Sequence, residues 1–113
     1  MSRLRDLGDA AEERAARYLL DNGFTIITRN FSTRSGEIDI VGLECEMLVF
    51  VEVKLRQSSS PEEAITPSKA KRMRSAAREY LQKMGEEARP YRFDLLALTA
   101  QEVRHHRHVL QSD

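Results

Sequence analysis

The amino-acid sequence predicts a single α/β domain: a mixed central sheet flanked by helices, with elements in the order αβββαββ. Three observations carry that prediction. β-Branched and aromatic runs alternate with two stretches of helical periodicity. The run from Met47 to Leu55 is apolar on both faces, as a central strand is. Thr66-Pro67 and Gly85 frame a long helix between that run and the next apolar run, the arrangement of a crossover between parallel strands.

From about Asp9 to Asn22, the apolar residues Ala11, Ala15, Tyr18, Leu19 and Leu20 recur near helical spacing, and Gly23 follows as a stop. Phe24 to Phe31 contains the β-branched run Thr25-Ile26-Ile27-Thr28 and predicts a strand. Gly36 opens a second strand through Val41 or Gly42, and Met47 to Leu55 forms the third. Gln57 to Ala64, QSSSPEEA, has the serine, proline and glutamate content of a mobile loop, spanning about residues 57–65. Threonine suits an N-cap and proline the first helical position, so Thr66-Pro67 starts the second helix, which runs to about Met84. Arg92 to Thr99 turns continuously apolar in FDLLAL, Val103 to Val109 predicts a short edge strand, and residues 109–113 are expected to form a mobile tail. The expected topology is three antiparallel strands, a helical crossover, and a fourth strand parallel to the third.

A chain of 113 residues fits one domain whose core needs neither disulfides nor a structural metal. Its one cysteine, Cys45, rules out an intramolecular disulfide and a cysteine-based zinc site, and points to a reducing compartment, the cytoplasm. Charges interrupt the N-terminal stretch MSRLRDLGDAAEERAARYLL, so a signal peptide or a membrane span is not expected there. The 18 basic and 18 acidic residues balance, which gives no whole-chain signature of nucleic-acid binding. Positive charge is nevertheless regional: Lys69, Lys71, Arg72, Arg74 and Arg78 lie between Thr66 and Tyr80 against the single acid Glu79, and Arg104 to His108 reads RHHRH.

The stretch GEIDIVGLECEMLVFVEVK, residues 36 to 54, places charges inside the two most strand-like runs. Buried charge is costly unless it is paired or bound to a metal. Strand alternation puts Glu37, Asp39 and Val41 on one face, and Leu48, Phe50, Glu52 and Lys54 on one face of the next strand. A tight connection between Glu44 and Met47 would set Asp39 opposite Glu52 and Glu37 opposite Lys54, with Cβ atoms about 4.5–5.5 Å apart. Two carboxylates that close repel unless something positive lies between them, and a hard divalent ion such as Mg²⁺ suits their oxygens. A lysine beside them can orient or polarise a phosphate and help set an attacking water. These are the parts that phosphodiester hydrolysis needs. An exposed cross-strand salt bridge would use the same residues, but apolar Val49, Phe50, Val51 and Val53 favour a site on a central strand.

The pattern GEIDIV, a short turn and then LVFVEVKLR resembles the YraN family of small bacterial proteins. That family in turn resembles the Holliday junction resolvases and the wider restriction-endonuclease-like group of PD-(D/E)xK nucleases. The likeness includes Gly8, Glu12, Ala15 and Leu19 in the first helix, GEID, VFVEVK followed by Arg56, the segment Thr66 to Leu81 with Lys69, and Arg92-Phe93-Asp94. It implies a restriction-endonuclease-like core, αβββαβ(β), and assigns the group's aspartate and E-x-K tripeptide to Asp39, Glu52 and Lys54. By that resemblance Asp39 and Glu52 hold Mg²⁺ or Mn²⁺, the Val53 carbonyl is a further ligand, Lys54 is catalytic and Glu12 assists. Ile38 stands where the wider group commonly has proline, as in the YraN pattern, and no base-reading insert is evident. The resolvase likeness is also compatible with a homodimer.

Other residues have two readings each. Glu37 belongs to the site or forms a surface pair with Lys54 or Arg34, and Glu12 belongs to the site or to a solvated helix face. Lys69 occupies about the third helical position, where a cation opposes the helix dipole; phosphate contact explains that misfit, and a lysine pointing to water is the alternative. Arg56 and Arg72 are further candidates for substrate binding. His105, His106 and His108 alternate between faces and read as a surface tail, Cys45 as an exposed turn thiol, and Asp94 as a pairing or supporting group. The expected function is Mg²⁺-dependent cleavage of DNA at branched or structured sites. The alternatives are a nucleic-acid-binding module of the same fold without turnover, and a protein-interaction adaptor using the second helix and the last strand.

Overall fold

The computed structural model describes residues 3–55 and 61–111, with side chains described for 8–55 and 63–111. Helix α1 (Arg3–Asp21) precedes strands β1 (Phe24–Ser32), β2 (Glu37–Glu44) and β3 (Met47–Leu55). A short helix α2 (Pro61–Ala64) and the long helix α3 (Pro67–Met84) lead to β4 (Tyr91–Leu98) and β5 (Val103–His106). The five strands lie in the sheet in chain order, antiparallel throughout except for β3 and β4, which are parallel across the α3 crossover. The expected topology and the Met47–Leu55 and Pro67–Met84 elements agree with this arrangement.

The ends of α3 follow from its sequence. Thr66 Oγ1 accepts the Lys69 N–H at 3.2 Å, Pro67 fills the first turn, and Gly85 at φ 65° closes the helix as its Gly85 and Glu86 N–H groups bond the Gln82 and Leu81 carbonyls. Strand alternation divides the core into two layers. Leu48, Phe50, Phe93 and Leu95 meet Ala70, Met73, Ala77 and Tyr80 of α3 on one face, while Val49, Val51, Leu96 and Leu98 meet Ala11, Ala15 and Leu19 of α1 on the other. A sheet covered on both faces explains why β3 is apolar at successive positions.

Four expectations change. The first helix begins at Arg3 rather than near Asp9. The loop expected over 57–65 holds the α2 turn, where proline stands first and glutamates follow, and it ends with Ala64 and Ile65 buried in the α3-side core; residues 56–60, with Arg56, lie outside the described residues. The tail expected at 109–113 is anchored through 111: the Val109 N–H donates to the Phe93 carbonyl at 2.8 Å, Val109 and Leu110 pack on the core, and Arg74 Nε donates to the Gln111 carbonyl at 2.7 Å. The histidine run is not uniformly solvated: His108 is exposed, but the His105 side chain is 4% exposed and hydrogen-bonded at both ring nitrogens.

Candidate active site

The β2–β3 hairpin turns tightly at Cys45 and Glu46, with Cys45 exposed at φ 56°, and pairs Glu44 with Met47 through to Ile40 with Val51. One more step in that register puts Asp39 across from Glu52. The ladder stops there. Past its end, Asp39 Oδ2 accepts the Val53 N–H at 2.8 Å, so the carboxylate occupies the fork where β2 and β3 part. In a strand, the N–H and C=O of one residue point to the same edge, so the Val53 carbonyl faces the Asp39 side as well.

Both carboxylates are buried, Asp39 at 9% and Glu52 at 3% exposure. Two ammonium groups balance Glu52: Lys69 Nζ from α3 at 3.0 Å and Lys54 Nζ at 3.6 Å, both on Oε2. Asp39 has no cationic partner among the described residues. Burial, reinforced by the neighbouring Glu52 charge, pushes its carboxyl up to about 7 against the pull of the Val53 N–H, and Glu12 of α1 adds a smaller push in the same direction.

The remaining candidates sort by position. Glu37 is exposed, accepts from Ser32 Oγ at 3.4 Å and pairs with neither Lys54 nor Arg34 among the described residues. Arg72 is exposed on α3 and, with Lys69, lines a concavity against the β1–β2 turn. Asp94 stands beside Val51 in β4 and so points to the α1 face, whereas Glu52 points to the α3 face. Its partners are Arg92 Nε at 2.8 Å, His105 Nε2 at 2.8 Å and the His108 N–H at 3.1 Å, and His105 Nδ1 bonds Tyr18 of α1 at 3.1 Å. Burial would raise Asp94, but the bonds from His105, Arg92 and His108 outweigh it and hold the carboxyl below its ordinary value. Asp94 therefore ties β5 and α1 to the sheet, on the face away from Glu52. Sequence reasoning missed this network, and it missed the Lys69 contact with Glu52 and the polar turn Thr33-Arg34-Ser35-Gly36 beside it. The clustering of Ser, Thr and Arg just before GEID was the available signal.

Among the described residues, no group of three or more His, Cys, Asp or Glu side chains is arranged to hold a metal ion. Any cation at the fork would rest on the two carboxylates, a backbone carbonyl and solvent. Also among them, no helix is long and apolar enough to cross a membrane.

A mixed five-stranded sheet with helices on both faces, carrying two buried carboxylates on its central hairpin, is an α/β fold compatible with a nuclease-like core. Residues 11–98 match the uncharacterised protein family UPF0102, which is the YraN family, and the chain belongs to it. It is 43% identical over 95 residues to a UPF0102 protein of Symbiobacterium thermophilum, covering 81% of this chain and 80% of that one. A Rhodococcus jostii relative is 44% identical over 95 residues, covering 81% and 80%, and one from Syntrophomonas wolfei is 50% identical over 80 residues, covering 68% and 70%. The matched span encloses Glu12, Asp39, Glu52, Lys54, Lys69 and Asp94.

Proposed function

We propose that the protein is a Mg²⁺-dependent endonuclease that hydrolyses DNA phosphodiester bonds at branched or otherwise structured DNA, with Mn²⁺ able to replace Mg²⁺. The observation that supports this reading best is the pair of buried carboxylates at the β2–β3 fork with two lysines beside them. The donor set fits the ion: Mg²⁺ is usually held by one or two carboxylates and keeps several waters, and Asp39, Glu52 and the Val53 carbonyl offer three oxygens at one edge. When bound, the ion would offset charge developing on the phosphate and lower the pKa of a bound water. To hold the ion, Asp39 would give up the proton that burial favours and Glu52 would exchange part of its lysine pairing for the cation. Lys54 donates hydrogen bonds to the phosphate and positions the attacking water. Glu12, whose charge reaches Asp39, would help to draw the cation inward. Recognition through phosphates, without a base-reading insert, favours DNA shape over DNA sequence.

One observation favours a second reading. Glu52 is already neutralised by Lys69 and Lys54, so the acidic pair could serve a nucleic-acid-binding module without turnover. Labelled single-stranded, duplex, flap and four-way DNA incubated with Mg²⁺ or Mn²⁺ separates the two. The expected result is metal-dependent cutting that falls by about 10²-fold or more in Asp39→Asn and in Lys54→Ala. Salt-sensitive binding without cutting on any substrate would replace hydrolysis by the binding module, and no DNA binding at all would leave a protein adaptor.

A further inference from the structure

Beside the acidic pair, a concavity of about 310 Å³ opens between the β1–β2 turn and the first half of α3. Its walls are the turn from Ser32 to Glu37 on one side and Lys69, Arg72 and Met73 on the other. The turn is locked in place. Thr33 Oγ1 accepts the Ser35 and Gly36 N–H groups, each at 3.1 Å, and Ser35 Oγ meets Ser75 Oγ of α3 at 2.7 Å. Gly36 lies so close to α3 that a Cβ there would stand 2.7 Å from the Arg72 carbonyl oxygen.

The charges on these walls do not cancel. Arg34 and Arg72 make no ion pair with a carboxylate among the described residues, and Glu37 is the one acidic side chain of the lining. Lys69 is balanced by Glu52 at 3.0 Å. Among the described residues, two guanidinium charges against one carboxylate leave a net of one positive charge. A phosphodiester carries one negative charge, and its paired oxygens match the guanidinium fork. Lys69 both lines the concavity and touches Glu52, so an anion seated there is one side chain away from the fork.

We propose that this pocket seats a backbone phosphodiester of the nucleic acid neighbouring the one cleaved at Asp39 and Glu52, held by Arg34 and Arg72. The inference deepens the nuclease reading and rests on it. It also sets the path of the bound strand: from the fork, past Lys69, across the β1–β2 turn. The charge match favours a diester over the dianion of a terminal or inorganic phosphate.

Binding of labelled duplex and four-way DNA in EDTA, followed by fluorescence anisotropy over a range of salt, tests the pocket without cleavage. The proteins compared are wild type, Arg34→Ala, Arg72→Ala, their double variant, and Lys71→Ala, which removes an exposed α3 charge outside the lining. The double variant is expected to bind both DNAs more weakly and to lower the slope of log K against log salt by about 0.9, the loss of one neutralised phosphate. Lys71→Ala is expected to change the slope less, and unchanged circular dichroism and melting temperature check that each variant folds. A slope unchanged in the double variant, or lowered equally by Lys71→Ala, overturns the pocket even if wild type cuts DNA. Inorganic phosphate that competes with DNA in wild type but not in the double variant, at matched ionic strength, overturns the diester in favour of a phosphate dianion. Wild type that binds with the expected slopes but never cuts with Mg²⁺ overturns hydrolysis and supports the pocket, and wild type that binds no DNA overturns both.

Discussion

At the residue scale, Asp39 couples site and stability. Its carboxyl titrates at about 7 in the fold against an ordinary 3.8, so between those values the native state keeps a proton that the unfolded chain has released. Stability in metal-free buffer is therefore expected to fall as pH rises through that interval and to level off above it. Asp39→Asn keeps an acceptor for the Val53 N–H and removes the penalty. Urea denaturation at pH 7.5 should find it more stable than wild type by roughly 1–3 kcal/mol, with little difference at the acid end. A wild-type profile that instead rises between pH 4 and 7 would contradict the buried, unpaired carboxyl. Gly36 is a second single-residue constraint. Its missing Cβ would lie 2.7 Å from the Arg72 oxygen and 2.9 Å from the Arg72 Cβ. Gly36→Ala must push the β1–β2 turn off α3, at an expected cost of about 1–3 kcal/mol in thermal or chemical denaturation.

Among elements, α3 matters most, because its capped start fixes Lys69 against Glu52. Thr66→Ala should destabilise the protein by about 1 kcal/mol in urea denaturation and loosen that contact, since the Lys69 N–H loses its side-chain acceptor. The start and stop of α3 were legible because capping chemistry is local. Its consequence was not: Lys69 reaches Glu52 only when the helix docks on the sheet. Strand β5 shows the same limit. RHHRH reads as a solvated run, yet the His105 side chain is buried, with Asp94 and Tyr18 satisfying its ring nitrogens from two other elements. Asp94→Asn should cost about 3 kcal/mol, as breaking a buried pair does, by leaving Arg92 and His105 imperfectly paired. Because the folded carboxyl is held below its ordinary value, Asp94 contributes stability above that value and loses it as pH falls through the folded one. Asp94→Asn should thus flatten the acid limb of the stability profile. If the proposed DNA binding holds, folded Asp94→Asn protein should match wild type in it, since Asp94 lies on the sheet face away from Glu52; a selective loss of binding or cleavage would give Asp94 a supporting role at the site.

Across the whole molecule, both faces of one sheet are covered, and the hairpin between them opens at the fork. A ligand that binds only there should stabilise the entire fold. At Mg²⁺ ten times its dissociation constant, about 1.4 kcal/mol is expected, a melting-temperature rise of several degrees at pH 7.5. The rise should shrink at pH 5, where protons compete for Asp39, and vanish in Asp39→Asn; a rise kept in full by that variant would place the ion elsewhere. The sequence by itself determined the strands, the long crossover helix and the facing of Asp39 toward Glu52, because period-two alternation and a two-residue turn fix a hairpin register locally. Only the tertiary structure decided which helix covers which face. That choice assigned Asp94 to a buried hydrogen-bonded network with Arg92 and His105, brought Lys69 to Glu52, and formed a basic pocket around the β1–β2 turn. Side chains distant in sequence meet through packing of whole elements, and the free energy of that packing is spread over the two cores rather than written in any short stretch of chain.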